Sequence, residues 1–208
     1  MGKLLIKMKK SRKEKGFLNK LNIGCGQKKL DGFINIDKNS EFNPDICMDA
    51  SQISNYKRFG ENTISEIRSE HFLEHTENPE EIMKEWHRIL STGGILKIKL
   101  PHFSRGFTNP DHKRGFDLSW PLHFKKENSY STYAGVEYEV EKMKMTWIAF
   151  LKHYPAGPLT KKFLSLINTI INFFASLSPY FCSRIWCFWV GGFEEMEIWF
   201  KKKLPGHS

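Results

Sequence analysis

The chain has 208 residues, of which 40% are hydrophobic and 26% are charged, and this composition excludes a wholly disordered chain and indicates a folded domain. Its formal net charge of +9 is unevenly spread. The first twenty residues hold eight basic residues and one acidic residue, whereas the remainder carries 24 basic and 22 acidic residues. We therefore predict a basic N-terminal extension, residues 1–20, followed by one nearly neutral domain, residues 21–208.

The basic extension does not resemble a secretory signal, because its lysines interrupt every apolar run, and we expect a cytoplasmic protein. Such an extension can bind nucleic acid, polyphosphate or an anionic membrane, and it is equally common as a solvated segment without a partner. The four cysteines show no zinc-ligand spacing, so we predict reduced thiols and no metal site.

Short apolar runs bounded by turn residues predict parallel strands in the first half of the chain. The runs are LNIG (21–24), FINID (33–37), the weaker DICMDA (45–50), ISEIRS (64–69) and ILKIKLP (95–101). Before the last run, a helix is predicted from Pro79 to Leu90, because a proline and two glutamates in its first turn are typical of helix starts. This alternation predicts a doubly wound α/β sheet.

Two later segments alternate apolar and polar residues, as strands with one exposed face do: residues 136–150, and GFEEMEIWFKKK near the C-terminus. They predict an antiparallel pair at the edge of the sheet. The expected fold class is therefore an α/β, Rossmann-like sheet that is mostly parallel, with an antiparallel C-terminal strand pair and a helical insertion.

Two segments of the second half do not belong to this sheet. Residues 102–128 lack periodicity and are rich in histidine and basic residues, and a loop of this length is usually functional. The insertion, residues 153–192, contains an amphipathic helix with apolar residues at 163, 166, 167, 170, 173, 174 and 177, followed by an aromatic-rich stretch. Either the helix covers the sheet, or residues 160–192 lie in the plane of a membrane at its inner face. Asn168 and Asn172 argue against a spanning helix.

A glycine turn, Gly24-Cys25-Gly26, follows the first predicted strand, and Asp37 ends the second. Glycines at this place let backbone amides approach a ligand closely, and an acid beside them can bind the hydroxyl groups of a ribose. A dinucleotide fingerprint would need glycine where Lys29 stands, and no phosphate-binding Gly-Lys-Ser/Thr occurs. The turn and the acid therefore predict a nucleoside site.

The rest of the strand series extends this pattern. Asp49 follows the third strand, SEHFLEH follows the fourth, and EEIMKEWHRILSTGGILKIKLP runs from the helix into the fifth. Residues 21–101 resemble the class I S-adenosylmethionine-dependent methyltransferases, specifically the type 11-like group. The resemblance lies in the pattern LEH…E…R.L..GG.L.I..P. Departures from the family are Asn22 in place of its acid in strand one, Lys28 near its third glycine, and a first crossover too short for a full helix.

The resemblance implies S-adenosylmethionine as the cofactor and a set of residues around it. Those expected to contact the cofactor are Gly24, Cys25, Gly26, Asp37, Asp49, Ala50, Ser69 and Glu70. The glycine turn would line the methionine end, Asp37 would hold the ribose, and Asp49 with Ala50 would flank the adenine. Ser69, Glu70 and His71, at the mouth of strand four, would face the methyl group.

Six of the eight histidines fall between positions 71 and 123, and an oxygen nucleophile needs a base of their kind near neutral pH. His71 and His102 each follow the carboxyl end of a predicted strand, and His112 lies in the long loop. We predict these three as catalytic candidates. Because a sulfonium is already activated, alignment of the acceptor supplies the rest of the catalysis.

Three function classes remain open from the sequence. The favoured one is O-methylation of a saccharide, a lipid-linked glycan or another small molecule, because of the histidine-rich loop and the aromatic insertion. An RNA or DNA methyltransferase is less expected, since SEHF stands where amino-methylating nucleic-acid enzymes carry Asn/Asp-Pro-Pro-aromatic and the domain lacks a basic stripe. The third class is a non-catalytic binding protein on the same fold. The oligomeric state is not predicted.

Overall fold

The structure is a computed structural model that describes residues 19–106, 109–125 and 135–203. Residues 1–18 of the predicted extension, and residues 107–108 and 126–128 of the predicted loop, lie outside the described residues. The described chain forms one seven-stranded sheet in the order β3-β2-β1-β4-β5-β7-β6. The strands are β1 (Asn19–Ile23), β2 (Ile34–Asp37), β3 (Ile46–Cys47), β4 (Ile64–Glu70), β5 (Leu90–Pro101), β6 (Tyr138–Thr146) and β7 (Glu195–Lys202).

The strand directions confirm the expected fold class. β1, β2, β3, β4 and β5 pair in parallel, and β7 runs antiparallel to both β5 and β6. β5 is longer than predicted, because it begins at Leu90 and not at Ile95. Leu90 pairs with Ile64 of β4, and the register then shifts, so that Glu66 pairs with Ile95. The Gly-Gly turn that was expected to separate the helix from the strand lies within this irregular stretch, where Gly93 has φ +74°.

The helices of the described chain are few. They are α1 (Pro79–Ile89), α2 (Phe103–Gly106), α3 (Pro158–Leu177) and an aromatic helix, Pro179–Trp189, that contains a π-helical turn. Short 3₁₀ turns occupy Ser40–Phe42, Ile53–Arg58, Leu73–His75, Trp120–Phe124 and Leu151–His153. Residues 24–33 between β1 and β2 contain no helix, as the short first crossover predicted.

α1 packs on one face of the sheet through an apolar stripe at helical spacing. The stripe consists of the buried residues Ile82, Met83, Trp86 and Ile89. The two glutamates of the first turn lie near the helix N-terminus, where the helix dipole favours negative charge. The Trp86 indole donates a hydrogen bond of 2.9 Å to the hydroxyl of Tyr56, which in turn donates to the carbonyl of Ala50 at 2.9 Å. The helix thereby fixes the chain segment that follows β3.

The opposite face of the sheet has no helix on it in the part of the chain that the structure describes. Alternate residues of β4, β5 and β7 place charged side chains there instead of apolar ones. Glu66 contacts Lys20, Arg68 and Lys97 at 3.2, 2.8 and 3.1 Å. Burial acts to raise the pKa of Glu66, but these three cations outweigh it and lower the pKa to about 2. Parallel sheets usually have both faces covered, and here ion pairs take the place of the second layer.

This charged face is extended on β7 by aromatic contacts. The ammonium groups of Lys97 and Lys142 each lie 4.5 Å from the centre of the Trp199 ring, one from each neighbouring strand. The stems of these long side chains cover the strands while their charges remain at the surface. Among the described residues, helices therefore cover one face of the sheet and charged side chains cover the other.

The insertion forms the predicted amphipathic helix, but the structure turns its apolar face outward. Six of the seven apolar positions are between 48% and 68% exposed: Phe163, Leu166, Ile170, Phe173, Phe174 and Leu177. The side that packs on the domain carries the buried Ala175 and the half-buried Ile171 together with two asparagines. Asn172 accepts a hydrogen bond from the amide of Trp147 at 2.8 Å, and Asn168 bonds both backbone groups of Ile148. The interpretation in which the apolar face covers the sheet does not agree with this arrangement.

Candidate active site

The glycine turn lies where β1 ends, at the carboxyl edge of the parallel strands. Gly24 and Gly26 have φ +69° and +48°, a region that side chains rarely adopt. A Cβ on Gly24 would also lie 3.0 Å from the Cβ of Phe72, so the turn admits no larger residue there. The amides of Gly24 and Cys25 both donate to the carbonyl of Ile36, which fixes the turn against β2.

Asp37 ends β2 beside this turn. One carboxylate oxygen accepts a hydrogen bond from the amide of Gly26 at 2.8 Å, and the other accepts from the amide of Asn39 at 2.9 Å. Each oxygen keeps a further lone pair for a ligand. The predicted pairing of the glycine turn with an acid is therefore realised as a direct contact, and a ribose diol bound by the carboxylate would sit against the turn.

A cavity of about 610 Å³ opens above these two groups. Five of the eight residues predicted to contact the cofactor line it: Gly24, Gly26, Asp37, Asp49 and Ala50. Residues that the sequence analysis did not select also line it: Lys38, Met48, Ser51, Phe72, His75, Thr76 and Asp111. Lys38, Met48 and Ser51 adjoin the predicted residues at the ends of β2 and β3, so their neighbourhood in sequence could have indicated them.

The far end of the cavity is built on the chain after β3. Asp49 accepts hydrogen bonds from the amide of Ser51 at 2.9 Å and from its hydroxyl at 2.7 Å. These bonds, chiefly the one from the hydroxyl, lower the pKa of Asp49 and keep it ionised at neutral pH. Ala50 is held from behind by the hydroxyl of Tyr56. A carboxylate beside an apolar wall suits the amino group and ring of an adenine.

The structure does not bring the other three predicted cofactor residues to this cavity. Cys25 is buried, and its amide donates to the carbonyl of Ile36. Ser69 is buried and its hydroxyl donates to the carbonyl of Ile23 at 3.1 Å. Glu70 points to the charged face, where it pairs with Lys28 and Lys99, each at 3.3 Å. In β4, successive side chains face opposite sides of the sheet, so Ser69 and Glu70 could not both have faced one ligand.

His71 follows β4 and lies between two cavities. It has φ +52°, a strained backbone for a residue with a side chain, and its ring contacts Glu195 at 3.0 Å through Nε2 and Glu74 at 3.3 Å through Nδ1. Burial alone would lower the pKa of His71, but Glu195 and Glu74 outweigh it and raise the pKa to about 9. Both ring nitrogens are engaged in this arrangement, so the role of His71 as a base requires that one contact breaks, and it stays a prediction.

A second cavity of about 610 Å³ lies on the other side of His71. Its lining includes His75, Asn109, His112, Phe150 and a cluster of three polar side chains. In that cluster Arg105 donates to the hydroxyl of Tyr154 at 2.8 Å, and this hydroxyl donates to Glu194 at 2.7 Å. His71 and His75 line both cavities, so a group held in the second cavity faces a cofactor held in the first.

His102 lines neither of these two cavities. Its ring is fully buried between the hydroxyls of Ser104, 2.7 Å from Nδ1, and Ser183, 2.9 Å from Nε2. Burial lowers the pKa of His102 to about 4, so the ring is neutral near pH 7. The structure therefore places this candidate in a packing role, at the junction of β5 with the aromatic helix.

His112 does line the second cavity, and the loop that carries it is tied down. The amide of Lys113 donates to the carbonyl of Glu74 at 2.7 Å, and Nδ1 of His112 lies 2.6 Å from the carbonyl of Gly106. A carbonyl only accepts, so Nδ1 carries the proton and Nε2 of the neutral ring is an open acceptor. Of the three predicted catalytic histidines, His112 is the one that has this open nitrogen.

Comparison with known proteins agrees with this geometry. Residues 21–98 match the family model described as a methyltransferase domain. No curated protein matches the sequence significantly. A solved S-adenosylmethionine-dependent methyltransferase from Archaeoglobus fulgidus is similar over 90% of this chain and 87% of its own, with 19% identity and a TM-score of 0.54.

Two further solved structures have the same fold. One from Mesorhizobium loti, also an S-adenosylmethionine-dependent methyltransferase, covers 89% of this chain and 91% of its own, with 10% identity and a TM-score of 0.50. The [4+2]-cyclase SpnF covers 91% of this chain and 76% of its own, with 14% identity and a TM-score of 0.54. At such identities these structures show the fold alone.

The family match covers the strands that form the first cavity, from the glycine turn through Asp37 and Asp49 to α1 and β5. These are the residues that fit an adenosyl cofactor by their geometry. Residues 21–98 therefore form a methyltransferase domain, and S-adenosylmethionine is the cofactor that this domain and its cavity support.

Proposed function

We propose that this methyltransferase methylates a hydroxyl group of a lipid-linked saccharide, and that it does so while bound to the inner face of an anionic membrane. The observation that carries the proposal is an outward apolar surface on the insertion. The residues of this apolar surface are Leu159, Phe163, Leu166, Ile170, Phe173, Phe174, Leu177, Tyr180, Phe181, Ile185, Phe188 and Trp189. Only Ile53 and Phe150 are exposed large apolar residues elsewhere in the described chain.

The charges around the apolar surface suit a membrane. The sequence has no acidic residue between Glu141 and Glu194, whereas Lys161 and Lys162 lie at the start of α3 and Lys152 lies in the 3₁₀ turn before it. Each basic residue near an anionic leaflet contributes about 1 kcal/mol of attraction. A second protein copy would bring the same positive charges together, so charge complementarity favours anionic lipid as the occupant of this surface.

The shape of the insertion favours contact in the plane of the membrane. Among the described residues, no helix is by itself long and apolar enough to cross a bilayer. α3 and the aromatic helix satisfy the criterion only as a pair, and they are bent by 114° at their junction. Tyr180 and Trp189 are exposed on this bent pair, and such side chains are enriched at the level of lipid headgroups.

The apolar surface is next to the second cavity, which supports a lipid-borne acceptor. Phe150 lines the second cavity and also a groove formed with Lys161 and Asn168 of α3. A headgroup attached to a lipid could therefore enter the second cavity while its chain stays in the membrane. Phe150 and Tyr154 offer ring surfaces and Arg105 and Glu194 offer polar groups, a combination that suits a saccharide.

Transfer to oxygen fits the histidines between the cavities. The acceptor hydroxyl attacks the methyl carbon, the carbon–sulfur bond breaks, and its electron pair stays on the sulfur of S-adenosylhomocysteine. The hydroxyl proton must pass to a base, and Nε2 of His112 is an open acceptor on the wall of the second cavity.

Flotation with lipid vesicles tests the membrane part of the proposal. The full chain should float with vesicles of phosphatidylcholine and phosphatidylglycerol, and the variant Phe163→Ser/Phe174→Ser should bind them about 100-fold more weakly. A 100-fold change corresponds to about 1.4 kcal/mol of membrane-binding free energy for each ring, as expected if roughly half of its apolar area is buried in the membrane. Ile53→Ser is the matched control, because it removes an exposed large apolar side chain outside the insertion.

The acceptor is tested with methyl-labelled S-adenosylmethionine and three pools: membrane lipid from the source cells, aqueous saccharides, and RNA. Label in the lipid pool, lost in the double variant and kept in Ile53→Ser, supports the proposal. Label in RNA would favour the nucleic-acid alternative. Failure to float, together with a dimer that the double variant separates, would show that a second copy covers the apolar surface.

A further inference from the structure

Three side chains converge on the wall between the two cavities. Glu74 and His75 lie in the 3₁₀ turn after β4, and His112 comes from the loop tied to this turn. One carboxylate oxygen of Glu74 and one ring nitrogen from each histidine all lie within 4.8 Å of one another. His75 and His112 contact each other edge to face, with their ring centres 4.9 Å apart.

Both histidines have the tautomer that a metal ligand needs. Nδ1 of His75 lies 3.2 Å from the carbonyl of Asp111, and Nδ1 of His112 lies 2.6 Å from the carbonyl of Gly106. Since each carbonyl accepts the Nδ1 proton, each Nε2 presents a lone pair. Metal-bound histidines nearly always donate their other ring N–H in this way, which sets the orientation of the ring.

Glu74 provides an independent sign of a missing partner. Its carboxylate is fully buried, and neither oxygen accepts a hydrogen bond from any residue within 19–106, 109–125 or 135–203. The nearest ring nitrogens are Nδ1 of His71 at 3.3 Å and Nε2 of His75 at 4.0 Å, and both lie beside Oε1 of Glu74. His71 is thus one partner of the buried carboxylate, while Oε2 has no such neighbour among the described residues, and a metal ion bound there would lower the cost of burying it.

We propose that Glu74, His75 and His112 bind a divalent transition-metal ion. Two imidazoles and one carboxylate are ligands typical of Zn²⁺ or Fe²⁺, whereas Mg²⁺ prefers oxygen ligands alone. Ligand atoms around a tetrahedral Zn²⁺ are about 3.3 Å apart, given bonds of ~2.0–2.1 Å. The site must therefore contract slightly, which the exposed ring of His75 and the half-exposed ring of His112 permit.

The use of the ion rests on the proposed function. Glu74, His75 and His112 would hold the ion and leave it a position for the acceptor hydroxyl in the second cavity, where the ion would lower the pKa of that hydroxyl. The hydroxyl proton would then pass to water as the oxygen–methyl bond forms and the carbon–sulfur bond breaks with its electron pair going to sulfur. In the metal-bound protein His112 would be a ligand, and its role as the proton acceptor would apply to the metal-free protein alone.

Metal binding is tested directly and without an acceptor. The full chain carrying Cys47→Ser, which removes an exposed thiol as a competing ligand, is titrated calorimetrically with ZnCl₂ and dialysed for metal analysis. We expect one Zn²⁺ per chain, no displacement by excess Mg²⁺, and at least tenfold weaker binding in Glu74→Gln and in His112→Ala. His153→Ala is the matched control, because it removes an exposed histidine outside both cavities.

His112→Ala changes a half-exposed loop residue, so it remains interpretable if Glu74→Gln fails to fold. The visible spectrum of the Co²⁺-loaded protein gives a second readout, and its bands should change in His112→Ala and not in His153→Ala. No stoichiometric Zn²⁺, or Zn²⁺ binding that survives both substitutions, would overturn the site. Vesicle flotation does not depend on this result, so the metal site and the membrane proposal can fail separately.

Discussion

His102 makes a contribution to stability that depends on pH. The ring is fully buried, and its pKa falls from the ordinary value of about 6.5 to about 4, chiefly because burial disfavours the charged form. Asp117 opposes this shift by its charge, but Asp117 is itself paired with Arg184 at 2.8 Å. Between pH 6.5 and pH 4 the unfolded chain therefore binds a proton at His102 that the folded chain does not bind.

The unfolded state is favoured as the pH falls through this range, so the free energy of unfolding decreases. A shift of this size corresponds to about 3 kcal/mol in total, of which about 2 kcal/mol is lost between pH 7.5 and pH 5. For a chain of this length that loss lowers the melting temperature by about 4–8 °C. The contribution is fully present above pH 7 and is exhausted near pH 4.

The measurement is urea unfolding of the wild type and of His102→Gln at pH 7.5 and pH 5. Other groups also titrate, so the quantity of interest is the difference between the two proteins in their loss of unfolding free energy. Glutamine keeps a polar contact to Ser104 and Ser183 and does not titrate, so the variant should lose about 2 kcal/mol less than the wild type. Equal losses would refute the reasoning. At pH 7.5 the variant should bind S-adenosylmethionine normally, as expected for a packing residue.

Three further substitutions test the cofactor site and the sheet. Asp37→Ala should weaken S-adenosylmethionine binding about 10- to 100-fold in calorimetry, because a charged hydrogen-bond acceptor is lost, while the exposed Asp31→Ala should bind normally. Gly24→Ala should weaken the same binding, since its Cβ would meet Phe72 in a left-handed backbone; wild-type affinity would contradict the close approach. Lys202→Met should reduce the free energy of unfolding by about 3 kcal/mol, because its buried ammonium donates three hydrogen bonds; a loss below 1 kcal/mol would contradict this account.

The strands and α1 could be predicted because their signals are local. The stripe of Ile82, Met83, Trp86 and Ile89 has the spacing of one helix face, and Pro79 marks its start. The glycine turn and Asp37 could be paired because both follow strands that a parallel sheet places side by side. Such predictions need only the spacing of apolar residues along the sequence and the direction of the strands.

The direction in which α3 faces could not be predicted in the same way. Its apolar stripe is clear in the sequence, but periodicity does not say whether protein or lipid covers the stripe. The decision depends on Asn168 and Asn172, whose amides bond the backbone of residues 147 and 148 from the polar side of the helix. These partners lie about twenty residues away and have no sequence signal of their own.

The cluster of Glu74, His75 and His112 was missed for a related reason. In the sequence, Glu74 and His75 belong to the family pattern, whereas His112 lies apart in the long loop. The two segments meet through tertiary contacts that include the hydrogen bond from the amide of Lys113 to the carbonyl of Glu74 and the contact of His75 with the carbonyl of Asp111. Cysteine spacing carries no information on a site that is built from histidine and glutamate.

The sheet order leaves β3 and β6 as unpaired edges, and the charged face bears on how such a molecule avoids aggregation. β3 has only two residues, too few to template another strand, and β6 carries Lys142 and Lys144 along its length. Lysines on an edge strand disfavour pairing with another chain, because each unpaired ammonium would have to leave water. The charged side chains that take the place of a helical layer therefore also protect an exposed edge of the sheet.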